Sequence, residues 1–255
     1  MPKLQLRDVG VTYEGARGTT CALERFNMDV EEGQAIAVLG PSGCGKSTSL
    51  LAACGLLVPG QGQVLIDGHP IAKPRLETAL ILQDFGLLPW KTVEQNAGLA
   101  AQIRKLPAAE RRRRVDAALE SVGLSEFAKA YPAELSGGMC QRLAMARALS
   151  CDIDLLLMDE PLSALDALLR EEMQDLLKRC WSEKRYAQVL VTHSIEEAVY
   201  LGQRILVVSP RPGHVVFELE NPEMEHDGWR DDPLFFERCR LLRERLRQGG
   251  DSHDA

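Results

Sequence analysis

Four short apolar runs stand out along the chain: Ala35–Gly40 (AIAVLG), Asp154–Glu160 (DLLLMDE), Gln188–His193 (QVLVTH) and Arg204–Ser209 (RILVVS). Runs of this length, each linked to helical stretches, are the pattern of strands covered on both faces in a parallel sheet. They predict an α/β core. Two earlier stretches, Leu4–Tyr13 (LQLRDVGVTY) and Gly62–Gly68 (GQVLIDG), alternate more between apolar and polar positions and predict an antiparallel β portion beside that core. From about Asp84 to Ser150 the pattern turns mostly helical, and Pro233–Arg247 (PLFFERCRLLRERLR) reads as a charged amphipathic helix. The expected layout is a single domain, 1–255. Its core with the β portion takes 1–83 and 151–220, an inserted helical lobe 84–150, and a C-terminal helical extension 221–255.

Composition adds limits. A content of 45% apolar and 26% charged residues is ordinary for a globular chain, and no window approaches the eighteen or so consecutive apolar residues of a membrane span. The first residues alternate like a strand and lack the apolar core of a leader peptide, so a cytoplasmic location is expected. Seven Cys are scattered without any Cys-x-x-Cys pair, which argues against a disulfide framework and against a zinc site. The net charge of −7 argues against a broad nucleic-acid surface. The Arg111–Arg114 run, ahead of Val115, Ala118 and Leu119, reads as a solvated helix face.

The chemistry begins directly after the first apolar run. GPSGCGKST, Gly40–Thr48, fits G-x-x-x-x-G-K-[ST], and the strand before it is the context that this phosphate-binding loop requires. Its glycines, Gly40, Gly43 and Gly45, let backbone N–H groups from Ser42, Cys44 and their neighbours close around phosphate oxygens, in a loop that also takes in Pro41. Lys46 adds a cation, and the Ser47 hydroxyl can ligate Mg²⁺. The run ending in Asp159 and Glu160 delivers two carboxylates at the end of a buried strand, where open α/β sheets hold ligands. Asp159 suits the metal shell, and Glu160 suits the polarisation of an attacking water.

A second anion site then raises a question. Ser136, Gly137 and Gly138 open a helical run through Leu143, Ala146 and Leu149, and a helix start of this kind offers free N–H groups. LSGG at Leu135, LLLMDE, SALD at Ser163–Asp166 and a His after an apolar strand, His193, together resemble the ATP-binding subunits of ABC transporters. The order and spacing match over almost the whole chain. The resemblance implies a P-loop NTPase core and hydrolysis of ATP with Mg²⁺. It also implies a head-to-tail homodimer, in which the LSGG helix of each chain caps the γ-phosphate held by the other. It places Tyr13 on adenine, Gln83 on Mg²⁺ and the lytic water, His193 on the γ-phosphate and Asp166 at the dimer contact. Met139 and Cys140 depart from the Gln and polar or basic residue usual after LSGG.

GLLPW (Gly86–Trp90), HSIEEAVYL and SPRPGHV resemble the nitrate, sulfonate and taurine importer ATPases, a group that also serves pyrimidine precursors. The resemblance implies separate transmembrane permease subunits, an indirect link to a solute-binding protein, and a place at the inner face of the membrane. It also sets Phe85, Leu87, Leu88 and Trp90 in a groove for a permease helix. The competing readings are a soluble ABC ATPase acting on DNA or the ribosome, and a P-loop kinase or GTPase. The sequence lacks the tandem cassettes or coiled-coil insertion of the first and the guanine-reading Asn-Lys-x-Asp of a GTPase.

Overall fold

The computed structural model describes residues 1–15, 18–163 and 165–251, with side chains to residue 248. Ala16, Arg17, Ala164 of the Ser163–Asp166 segment, and residues 252–255 of the C-terminal extension lie outside the described residues.

The strands are β1 (Leu4–Gly15), β2 (Gly18–Val30), β3 (Ala35–Leu39), β4 (Gln61–Ile66), β5 (His69–Pro70), β6 (Thr78–Ile81), β7 (Leu155–Asp159), β8 (Ala187–Thr192), β9 (Arg204–Val208) and β10 (Val215–Glu220). The helices are α1 (Lys46–Ala53), α2 (Val93–Ala97), α3 (Leu99–Ile103), α4 (Ala108–Ser121), α5 (Gly137–Leu149), α6 (Ala167–Lys184), α7 (Ile195–Leu201) and α8 (Pro233–Asp251). Among the described residues two sheets form, ordered β2-β1-β4-β5 and β10-β9-β3-β8-β7-β6. The first is antiparallel throughout. In the second, β6 to β9 and β3 run parallel, and β10 pairs antiparallel with β9 at one edge.

The unbroken apolar runs are explained by two cores that share the parallel sheet. Along β3, Ala35, Ala37 and Leu39 face one core with α4 to α7, whereas Ile36 and Val38 face the other, between the sheets. β7 does the same, with Leu156 and Met158 on one side and Leu155 and Leu157 on the other. Side chains alternate faces along a strand, so a strand buried on both faces has no polar position to show. Helix α1 lies in the inter-sheet core through Leu50, Ala52 and Ala53, which fixes the loop ahead of it.

The segment between β6 and β7 carries α2 to α5, as the helical pattern predicts. Of the arginine run in α4, Arg112 and Arg113 are exposed, but Arg114 pairs with Glu110 and with Asp152 at 2.9 Å, so one member of that face reaches the loop ahead of β7. β2, β6 and β10 escape the sequence pattern. Among the described residues no helix is long and apolar enough to cross a membrane.

Helix α8 packs back on the main core. Phe235 meets Trp229 edge to face at 5.8 Å, and Leu242 is fully buried. Leu242→Ala should therefore cost about 2–5 kcal/mol in urea unfolding, because a buried leucine leaves a cavity. Unchanged stability would make α8 an appendage.

Candidate functional site

The carboxyl ends of β3, β7 and β8 lie side by side; residues that follow β3 and β7 line one cleft, and His193 after β8 lies in a neighbouring pocket with Gly40 and Pro41 and reaches the cleft through Glu160. After β3 the chain turns through Gly40–Gly45 into α1. Gly43 and Gly45 take φ of +77° and +103°, which glycine alone adopts freely. A Cβ on Gly45 would lie 2.5 Å from the Ala22 carbonyl oxygen of β2, so no side chain has room there. Lys46 at the start of α1 is buried at 4% exposure. Its ammonium donates to the carbonyls of Gly40 and Pro41 at 2.8 and 2.9 Å and faces Glu160 Oε1 at 3.7 Å. The Ser47 hydroxyl donates to Asp159 Oδ1 at 3.0 Å.

Strand β7 ends at this point. Burial pushes the Asp159 carboxyl above its ordinary pKa; the Ser47 hydrogen bond and the Lys46 charge oppose the shift, and the Glu160 charge adds to it. Glu160 has a positive φ of +45°, a strained choice for a residue other than glycine. Its N–H is tied to the Val191 carbonyl of β8 at 2.9 Å, and its own carbonyl accepts from the Ser163 hydroxyl at 3.0 Å. The twist aims the carboxylate back toward Lys46 and toward His193, whose Nδ1 donates to Glu160 Oε2 at 2.9 Å.

A cleft of ≈ 360 Å³ opens over this cluster, lined by Tyr13, Thr20, Ala22, Ser42, Gly43, Gly45, Lys46, Ser47, Thr48, Gln83, Glu160 and Arg211. The half-exposed Tyr13 ring stands at its wall, with its hydroxyl 3.2 Å from Thr48 Oγ1. Cys44 is buried, and burial raises its thiol pKa. The donor set suits a nucleoside triphosphate with a divalent cation. Positive-φ glycines turn amides toward an anion, a buried ammonium neutralises it, and Ser47 with Asp159 presents hard oxygen ligands.

The remaining candidates stand elsewhere. Ser136, Gly137, Gly138 and Asp166 do not line the cleft. Ser136 caps α5, its hydroxyl accepting from Met139 N at 3.3 Å, so the cap uses only the backbone of the unusual Met139. Ser136 and Gly137 are exposed, and Gly138 backs onto the Leu169 side chain, which would have to shift to admit a Cβ. Asp166 caps α6 through Leu169 N at 3.0 Å. The expected apolar groove divides: Trp90 is 70% exposed, whereas Phe85 and Leu87 pack against the main core, which anchors the loop that carries Trp90. That loop is shaped by Asn96, fully buried, whose amide nitrogen donates to the carbonyls of Leu88, Lys91 and Thr92.

Sequence reasoning missed two arginines. Arg211 lies in SPRPGHV and donates to the Gly43 carbonyl at 2.8 Å, bracing the loop; a turn-rich stretch gave no cue to that contact. Arg147 lies on α5 and grips the carbonyls of Phe85 and Gly86, both at 2.6 Å, and burial lowers its pKa.

Comparison with known proteins gives the family. The ABC transporter family model matches residues 23–163. The taurine import ATP-binding protein TauB of Rhizobium johnstonii is 46% identical over 220 residues, 85% of this chain and 84% of that protein. The nitrate import ATP-binding protein NrtD of Synechocystis sp. is 38% identical over 241 residues, 91% of each. The dimeric structure of MJ0796, a bacterial ABC transporter cassette, superposes with a TM-score of 0.77 at 32% identity, covering 85% of this chain and 98% of that one. A second structure of that cassette, a post-hydrolysis state bound to ADP and Pi, matches equally. The chain belongs to the ABC transporter family, and it is an ATP-binding, ATP-hydrolysing cassette of that family.

Gly45→Ala tests the cradle. Forcing a Cβ and a positive φ at that position should weaken binding of a non-hydrolysable ATP analogue at least tenfold, on the order of 1–3 kcal/mol of strain, measured by calorimetry. Wild-type affinity would exclude the loop from nucleotide binding.

Proposed function

We propose that this chain is the ATP-hydrolysing subunit of an importer, energising uptake of a small solute, with nitrate, sulfonate or taurine as the first candidates, through separate transmembrane subunits. In this reading a solute-binding protein delivers cargo to those subunits, and the cassette works at the inner face of the membrane, held there by them. The import functions in the names of the TauB and NrtD relatives support the transport class. Residues 84–150 serve as the lobe that meets the membrane subunits, 1–83 and 151–220 as the ATP-handling core, and 221–255 as a C-terminal extension.

The observation that carries the mechanism is the separation of two anion-facing helix starts. α1 opens into the cleft, whereas the Ser136–Gly138 start of α5 stands outside its lining. Each ATP is then held between the loop Gly40–Thr48 of one chain and Ser136–Gly138 of a second copy, with Asp166 at the contact. Tyr13 stacks on the base. Lys46 holds the β- and γ-phosphates. Ser47, Asp159 and Gln83 hold Mg²⁺, which when bound neutralises phosphate charge. Glu160 takes a proton from the attacking water, and His193 steadies the γ-phosphate while its bond to Glu160 keeps the carboxylate aimed.

Glu160→Gln should keep ATP affinity while turnover falls about 10²-fold or more, read by phosphate release. Near-normal turnover removes Glu160 from the mechanism. Lys46→Ala and Ser136→Arg should each be inactive alone. Mixed, they form heterodimers with one intact composite site, so part of the activity should return on mixing; a site built within one chain gives no recovery. For the membrane contact, Trp90→Ser should weaken co-purification with the permease subunits and leave ATP affinity of the isolated chain unchanged. Unchanged co-purification would remove Trp90 from that contact.

A further inference from the structure

Glu197 on α7 is the one carboxylate that is fully buried among the described residues, at 3% exposure. Its surroundings are not those of a structural ion pair, since no salt bridge reaches it among the described residues. Oε2 accepts from the Thr192 hydroxyl at 2.5 Å, and Oε1 is buried without any hydrogen-bond partner. Burial pushes the carboxyl up to about 7; the Thr192 hydrogen bond and the Arg170 charge oppose the rise, and the Glu160 charge adds to it. A folded-state value above the unfolded one means that this group favours folding least at high pH, where it must ionise inside the protein. A carboxylate that costs stability and leaves one oxygen orphaned calls for a role other than holding the fold.

The geometry around it supplies one. The Thr192 hydroxyl that donates to Glu197 also accepts from Ser194 N at 3.0 Å. The Ser194 hydroxyl accepts in turn from Glu197 N at 3.3 Å. Both residues flanking His193 are thus tied to Glu197, one through its side chain and one through its backbone. Thr192 is the last residue of β8, paired with Leu39 at the mouth of the phosphate loop. His193 itself is half exposed and, among the described residues, held at its ring only by Glu160. Its aim depends on the turn beneath it.

We propose that Glu197, through the Thr192 hydroxyl, is a positioning residue that fixes the Thr192–Ser194 turn and so holds the His193 imidazole against Glu160. This rests on the reading of His193 and Glu160 as residues that handle the γ-phosphate and the water, and the test separates the two. Glu197 orders the pair by acting on the backbone that carries one of its members. Arg170 on α6, which donates to the carbonyls of Leu162 and Leu165, is the cation whose charge opposes the carboxyl's rise, and Glu160 is the facing anion.

The full chain is assayed with Mg²⁺ and ATP as Thr192→Val, Thr192→Ser, Glu197→Gln, Glu197→Leu and His193→Ala. Thr192→Val swaps a buried hydroxyl for a methyl; kcat should fall about tenfold while KM for ATP stays within about twofold, since the turn loses both hydrogen bonds of that hydroxyl, to Glu197 Oε2 and from Ser194 N, and the phosphate loop loses none. Thr192→Ser should restore kcat. Glu197→Gln keeps an acceptor for the hydroxyl and should retain most of kcat, and it should melt higher than wild type at pH 8 but not at pH 5. Glu197→Leu should behave like Thr192→Val. If Thr192→Val does not fold, Thr192→Ala makes the same comparison. Wild-type kcat in folded Thr192→Val (or Thr192→Ala) and Glu197→Leu, with His193→Ala inactive, overturns the positioning role and leaves the functional reading standing. Wild-type kcat in His193→Ala overturns that reading itself.

Discussion

A buried ammonium is the constraint around which the site is built. Lys46 is almost wholly removed from water, and such a charge is tolerable only with partners in place. The carbonyls of Gly40 and Pro41 supply two and the Glu160 carboxylate a third. Those partners come from different strands, so the register of the parallel sheet decides whether they meet. Leu39 pairs with Thr192 and Asp159 with Val191, which brings the phosphate loop, Glu160 and His193 to one edge at hydrogen-bonding range. A slip of one residue in β7 would reverse the faces of Asp159 and its neighbours and leave the ammonium without its carboxylate.

A second consequence concerns the lobe. α5 begins at the Ser136 cap and, a few turns later, Arg147 seizes the carbonyls of Phe85 and Gly86. The loop that follows Gln83 and exposes Trp90 is therefore fastened to the same helix whose start faces outward. Movement of α5 toward a nucleotide on a second chain would carry the Trp90 loop with it. Local hydrogen bonds thus join the helix start proposed to meet ATP to the loop proposed to meet the membrane subunits.

The core strands, the phosphate loop and the acidic pair were legible in the sequence because each has a local cause: burial on both faces erases alternation, and glycines mark a backbone that must curl. β2 was not legible, since its exposed stretch Gly18–Cys21 and its positive-φ Arg25 interrupt any clean period. β6, only four residues long, and β10, an edge strand with Glu218 and Glu220 outward, carry too little pattern. Arg147, Arg211 and Asn96 bond to backbone carbonyls, and nothing in a side chain's identity announces which distant carbonyl it will meet. Phe85 and Trp90 sit five residues apart with opposite fates: Phe85 packs against the main core with its carbonyl held by Arg147, whereas Trp90 stands in water, and neither partner is visible in the local sequence.

The central claim, that one ATP site is assembled from two copies of the chain, is tested most directly by cross-linking. In the Glu160→Gln chain with its seven native cysteines replaced, single cysteines are introduced beside Ser47 and beside Ser136, and oxidation is carried out with and without ATP. The account predicts disulfides between chains that form with ATP and diminish without it. Cross-links confined to monomers would contradict it.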